Sequence, residues 1–143
     1  MPTRKGSARY EGFGKEGKGH VSTQSGALRD QPYGFSTRFE GEPGTNPEEL
    51  IAAAHASCFT MATSFALARA GHADGRLETE CAVTLDQDGA GGFKVTKSAL
   101  TLRAVIDGID EAEFARIADE AKANCPISKL LDCEITLEHS LED

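Results

Sequence analysis

The chain has 143 residues, 39% hydrophobic and 27% charged. That is the size and composition of one soluble globular domain, able to bury a core without metal or disulfide staples. Its net charge of −8 argues against nucleic acid, which requires a basic patch to displace counterions, and against an anionic membrane surface.

Residues 1–26 are polar and Gly-rich, with no apolar run of the signal-peptide kind, so a cytoplasmic location is the expectation. In that compartment the four cysteines are reduced at rest and serve chemistry or packing rather than a scaffold. There is no CxxC pair, and His20, His55, His72 and His139 are scattered without zinc-ligand spacing, so no metal is expected.

Along the chain, residues 4–11, 17–25 and 33–40 read as short strands bounded by Gly, Pro and Asp. In the last, Phe35, Thr37 and Phe39 alternate with Ser36, Arg38 and Glu40. After a loop at 41–45, Asn46 is a suitable N-cap, Pro47 suits the first helical position, and Glu48 and Glu49 suit the positive end of the dipole.

From Leu50 to Ala68 no residue is charged if His55 is neutral, and Arg69-Ala70-Gly71 supplies a helix stop. A helix apolar on all sides is buried or in a membrane. His55, Ser57, Thr60, Thr63 and Ser64 interrupt it and alanine is a weak lipid-facing residue, so burial is expected. Strands at 77–88 and 93–107 flank Gly89-Ala90-Gly91-Gly92 as a hairpin, with Leu100, Leu102 and Ala104 on one face. An amphipathic helix at 110–122 aligns Phe114, Ile117, Ala118 and Ala121; Cys125-Pro126 breaks it and starts a helical turn, and a last strand covers 133–141.

The order is β-β-β-α-β-β-α-β in a single domain, 1–143, of α/β (α+β) class. A central apolar helix in so small a domain needs cover on every side, which one sheet does not give. A second copy is the simplest source, hence an intertwined homodimer.

The cysteines admit two readings each. Cys58, inside the apolar helix, is either a packed apolar group or a reactive thiol. Cys125, directly before Pro126 and between Lys122 and Lys129, is either a cap or a thiol whose thiolate the helix dipole favours. Cys81 and Cys133 lie in strands with no evident activating group and read as packing. His55 is one turn before Cys58, but a Cys-His hydrolase needs a third, orienting group, and none is evident. Arg38 alone reads as a solvated arginine, and Glu48 alone as a first-turn charge. Glu48 and Cys58 are ten residues apart, roughly 15 Å along a helix. If both serve one centre they come from two copies of that helix.

Three separated stretches then become informative together: Gln31-Pro32-Tyr33-Gly34-Phe35-Ser36-Thr37-Arg38-Phe39-Glu40-Gly41, residues Gly44-Thr45-Asn46-Pro47-Glu48-Glu49 through Ala54-His55-Ala56-Ser57-Cys58-Phe59, and Ala123-Asn124-Cys125-Pro126-Ile127-Ser128. In this order, and with Gly108-Ile109-Asp110 entering the later helix, they resemble the osmotically induced protein C (OsmC) family and the related organic hydroperoxide resistance (Ohr) proteins. The position of Arg38 resembles the OsmC branch.

The resemblance implies an OsmC-like fold, active sites at a dimer interface, and reduction of organic hydroperoxides in oxidative and osmotic stress defence. It places the peroxidatic cysteine on Cys58, the resolving cysteine on Cys125, and the arginine and glutamate on Arg38 and Glu48. It implies no bound cofactor and an external dithiol reductant of the lipoyl type. Cys58 thiolate would attack the peroxide, leaving a sulfenic acid that Cys125 converts to a disulfide. An apolar lining from Phe39, Ile51 and Phe59 would favour bulky peroxides. The alternative is a non-enzymatic stress protein binding an apolar ligand in the dimer groove, which requires no Cys125.

Overall fold

In the computed structural model, which describes residues 1–142, the chain runs β1 (Gly6–Glu11), β2 (Lys18–Thr23), β3 (Gln31–Tyr33), α1 (Phe35–Phe39), α2 (Pro47–Arg69), β4 (Arg76–Gln87), β5 (Phe93–Val105), α3 (Glu111–Asn124), α4 (Pro126–Leu130) and β6 (Glu134–Leu141). Two compact units are present, Met1–Leu50 and the residues from Ile51 onward.

The first unit is an antiparallel sheet of order β1-β2-β3, with Glu11 opposite Lys18 and Gly19 opposite Tyr33. Gly19 is there because two aromatic rings occupy the space a side chain would need. A Cβ would lie 2.7 Å from the Tyr33 ring and 2.9 Å from the Tyr10 ring, and those rings meet edge to face at 6.0 Å.

The strand expected at 33–40 is corrected: β3 stops at Tyr33, and Phe35–Phe39 is one helical turn. The alternation was ambiguous because Phe35 and Phe39 share a face at spacing four in a strand and in a helix alike. Local hydrogen bonds decide for the helix. Thr37 Oγ1 accepts the Gly34 N–H at 2.8 Å and donates to the Gly34 carbonyl at 3.1 Å, and the two phenyl rings pack at 5.1 Å. Arg38 therefore leaves a helical turn rather than a strand.

α2 begins as its sequence requires, with Asn46 Oδ1 accepting the Glu49 N–H at 2.8 Å. It ends where Gly71, at φ +96°, lets the His72 N–H reach back to the Leu67 carbonyl at 2.9 Å. Within the second unit this chain covers one face of α2 by itself, and cover on the other faces is expected from a second copy. Only the stripe His55, Phe59, Thr63 and Leu67 is buried, while Met61 and Phe65 are 63% and 61% exposed. The helix is long and apolar enough to cross a membrane, yet it lays Phe59 into the same core as the sheet and α3.

That sheet has the order β4-β5-β6. β4 and β5 form the expected hairpin, and the Asp88 carboxylate accepts the Ala90 and Gly92 N–H groups at 2.7 and 3.0 Å across its loop. β6 joins β5 in parallel, from Lys97 opposite Glu134 to Ala104 opposite Leu141. A parallel pair demands a crossover of a dozen residues or more, and α3 and α4 supply it. Leu100, Leu102 and Ala104 point into one core with Phe59, Phe114, Ala118, Ala121 and Cys125.

Candidate active site

The crossover carries the second helix turn past α2. Asp110 caps α3 through its side chain, the helix runs to Asn124, and Cys125 leaves it in extended conformation. Pro126 lacks an N–H to continue that helix and starts α4 instead. Cys125 thus caps α4: its Sγ accepts the Ser128 N–H at 3.4 Å and lies 3.2 Å from Ser128 Oγ. It is fully buried.

Cys58, half-buried on α2, interacts directly with the Cys125 thiol and accepts the backbone N–H of Ile127. One short turn therefore sets consecutive amides on two different sulfurs. All four cysteines are free. The pair opens onto a groove of about 520 Å³, whose walls include Met61, Phe65, Ala121 and Pro126. Phe59, expected in an apolar lining, is instead wholly inside the core. It follows Cys58 by one residue, and a helix turns the next side chain about 100° away.

Burial pushes the Cys58 thiol above its ordinary pKa; the Ile127 amide works against this and Cys125 adds to it. None of these groups is a cation. Thiolate chemistry at neutral pH needs one.

A guanidinium lies in the first unit. Arg38 Nε donates to Glu48 Oε1 at 2.8 Å and Nη2 to Glu48 Oε2 at 2.9 Å, a two-pronged pair that fixes the plane of the guanidinium. The bond to Glu48 also raises the Arg38 pKa, keeping the charge permanent. Glu49 does not compete, since it accepts a hydrogen bond from Thr45 Oγ1 at 2.8 Å. Around Arg38 lies an aromatic groove of about 410 Å³ that includes Tyr10, Tyr33, Phe35 and Phe39.

His55 has a different surrounding from the one its sequence position suggests. It is fully buried, with Nδ1 2.6 Å from Ser98 Oγ and Nε2 2.7 Å from Ser128 Oγ. Both ring nitrogens are committed to serines, which removes the geometry of a Cys58-His55 hydrolase. Burial lowers its pKa, so the ring is neutral. Cys81 Sγ lies 3.1 Å from Ser98 Oγ, so this cysteine has a polar partner as well as a packing role.

Sequence reasoning assigned nothing to Ser98 or Ser128, although signals existed. Ser98 is a polar residue on the strand face of Leu100, Leu102 and Ala104, and Ser128 stands three residues after a capping Cys125, where a capping-box partner belongs.

A family model described as OsmC-like protein matches residues 39–140. Peroxiredoxin OsmC of Escherichia coli (strain K12) is 53% identical over 139 residues, 97% of this chain and 96% of that protein. Organic hydroperoxide resistance protein OhrB of Bacillus subtilis (strain 168) is 32% identical over 112 residues, 78% of this chain and 79% of its own length. The crystal structure of OhrB of Bacillus subtilis superposes with a TM-score of 0.70 at 28% identity, over 98% of both chains.

Proposed function

We propose, from the premise that this chain belongs to the OsmC-like protein family, that it is a cysteine-based peroxidase reducing organic hydroperoxides to alcohols in cytoplasmic stress defence. The observation that carries the reading is the contact of Cys58 with Cys125 at the mouth of one groove. A non-enzymatic ligand-binding protein needs a groove but no second thiol.

In the proposed cycle Cys58 thiolate attacks the outer peroxide oxygen. The O–O bond breaks, the alcohol leaves, and a sulfenic acid remains on Cys58. Cys125 attacks that sulfur, forming the disulfide and releasing water. An external dithiol, of the lipoyl type, reopens it by exchange. No bound metal or organic cofactor enters the cycle.

Arg38 supplies the missing cation, holding thiolate and peroxide oxygen together while Glu48 fixes its plane. Glu48 and Cys58 sit on one helix, roughly 15 Å apart along its axis. We therefore assign the Arg38–Glu48 pair at each centre to the second copy in a homodimer, whose contact surface includes the exposed Met61 and Phe65. The aromatic groove of one copy and the Cys58 groove of the other then enclose the organic part of the substrate.

The test is peroxide consumption with cumene hydroperoxide and a dithiol. Wild type should turn over, Cys58→Ser should be inactive, and Cys125→Ser should stop at a sulfenic acid that dimedone labels. A Cys58→Ser protein as fast as wild type would refute the assignment and favour the ligand-binding reading. Hydrogen peroxide matching cumene hydroperoxide in kcat/KM would remove the role given to the apolar walls.

A further inference from the structure

The cycle above uses two cysteines and leaves a buried chain of polar side chains without a task. Cys125 Sγ meets Ser128 Oγ at 3.2 Å, Ser128 Oγ meets His55 Nε2 at 2.7 Å, His55 Nδ1 meets Ser98 Oγ at 2.6 Å, and Ser98 Oγ meets Cys81 Sγ at 3.1 Å. Four elements contribute: α4 and its cap, α2, β5 and β4. His55, Ser98 and Cys125 have no solvent exposure at all. Buried polar groups are expensive unless each has a partner, and here every one does.

A neutral imidazole has one donor and one acceptor, so all the bonds run the same way along the chain. Two such directions satisfy every group: in one, Cys125 S–H donates to Ser128 Oγ, Ser128 O–H to Nε2, Nδ1–H to Ser98 Oγ, and Ser98 O–H to Cys81 Sγ; in the other each donor and acceptor is exchanged, and the relay uses the first. The groups facing His55 are thus Ser98 and Cys81 from the sheet and Ser128 from α4, none of them charged at rest.

We propose that His55 is a positioning residue for the resolving half of the reaction, taking up the Cys125 proton through Ser128 as the disulfide forms and returning it when the disulfide is reopened. The inference rests on the reading that Cys125 resolves Cys58. As the disulfide forms, the Cys125 S–H proton passes to Ser128 Oγ while the Ser128 hydroxyl proton passes to His55 Nε2. The sulfur's electron pair forms the S–S bond, and the S–O bond of the Cys58 sulfenic acid breaks. The hydroxide leaves with that bond's electron pair and becomes water by taking a proton from buffer acid, so that one proton is taken from solution while the Cys125 proton is held on His55. Cys125 is oxidised and Cys58 reduced. In the second half a dithiol thiolate attacks Cys58 Sγ, and Cys125 departs with the electron pair and takes its proton back from Ser128, which His55 replenishes. The buried imidazolium is disfavoured, so the proton returns as soon as a thiolate is there to accept it. Cys125, wholly buried, needs no direct exchange with solvent.

The experiment follows the lifetime of the Cys58 sulfenic acid after one equivalent of cumene hydroperoxide, by dimedone trapping and mass spectrometry of the intact protein. It compares wild type, Ser128→Ala, Ser128→Thr, Ser98→Ala and Cys125→Ser. Ser128→Ala should form the sulfenic acid at the wild-type rate and condense about a hundredfold more slowly. Its condensation should accelerate with rising pH where wild type is flat, because hydroxide from solvent must then take the proton that the relay no longer accepts.

Ser128→Thr keeps the hydroxyl and should restore both rate and flat profile. Ser98→Ala removes the other partner of His55, off the route to Cys125, and should condense like wild type. Equal slowing by Ser98→Ala and Ser128→Ala would mean that the chain is only structural and would overturn the proposal. So would a Ser128→Ala protein with the wild-type rate and profile while Cys125→Ser blocks the disulfide. A Cys125→Ser protein that still forms a Cys58 disulfide would overturn the pairing, and the relay with it.

Discussion

Glu48→Gln isolates one element of the proposed centre without changing its size. In wild type both carboxylate oxygens accept from Arg38, at 2.8 and 2.9 Å. Glutamine keeps one acceptor for Nε, but its amide nitrogen then faces Nη2, donor against donor. One charge-assisted hydrogen bond is lost and the guanidinium is freed to rotate. Such a bond contributes about 1.5–3 kcal/mol. Because the Arg38 side chain is 35% exposed, the lower figure applies, about 1.5 kcal/mol after solvent screening. If Arg38 acts mainly in the transition state, that is a loss of roughly tenfold in kcat/KM. Steady-state turnover of cumene hydroperoxide with a dithiol measures it. Glu49→Gln is the control, since Glu49 is held by Thr45, and should be unchanged. A Glu48→Gln enzyme within about twofold of wild type, beside an inactive Arg38→Met, would show that Arg38 needs no orienting carboxylate.

Phe59→Ala removes a wholly buried ring from the centre of the α2–sheet–α3 core and should cost about 3–5 kcal/mol in urea unfolding; a cost under about 1 kcal/mol would mean that the core collapses around the gap. Stability should also depend on pH with a defined sign. Burial raises the thiol pKa of Cys81 and Cys133, so the fold holds protons that the unfolded chain has lost, and stability falls as pH rises past about 8.5. Burial lowers that of His55, so the unfolded chain binds the extra proton, and stability falls as pH drops below about 6.5. Urea midpoints across pH should show a plateau between those limits, and His55→Gln should flatten its acid side.

The legible parts of this fold are those with local causes. The α2 start is written in Asn46-Pro47-Glu48-Glu49, its stop in Arg69-Ala70-Gly71, and the α3 face in Phe114, Ile117, Ala118 and Ala121, all buried. Cys125 was readable as a cap because Pro126 follows it. The illegible parts have causes distant in sequence or spacings that fit two periods. Phe35 and Phe39 satisfied a strand and a helix equally until Thr37 bonded to Gly34. His55 looked like a neighbour of Cys58 because they are one turn apart. Its actual partners are 43 and 73 residues away, brought in by a parallel β5–β6 pairing that no local pattern announces. The groove of Cys58 was expected to use Phe59, but the helix phase that buries Phe59 presents Met61 and Phe65 instead.

The raised pKa of Cys58 bears directly on assembly. In one chain the thiol meets one amide and another thiol. The cation in its groove, Arg69, lies eleven residues along the helix and shares the groove's lining with Glu120, and its own Glu48 is roughly 15 Å away along the same helix. A thiol so placed stays protonated at neutral pH and is a poor nucleophile. If the second copy brings Arg38 to it, thiolate formation and dimerisation are one event, and an isolated chain is protected from indiscriminate oxidation. Phe65→Asp tests this: it places a charge on the exposed stripe beside the groove, 61% exposed in the single chain, where folding is not disturbed but a buried contact would be. Light scattering should report a halved mass. Iodoacetamide should label Cys58 more slowly at neutral pH, with its pH midpoint moved upward, because the cation has left. A monomeric Phe65→Asp protein whose Cys58 is alkylated as fast as wild type would show that the thiol is activated within one chain, and the partner's guanidinium would lose its assigned role.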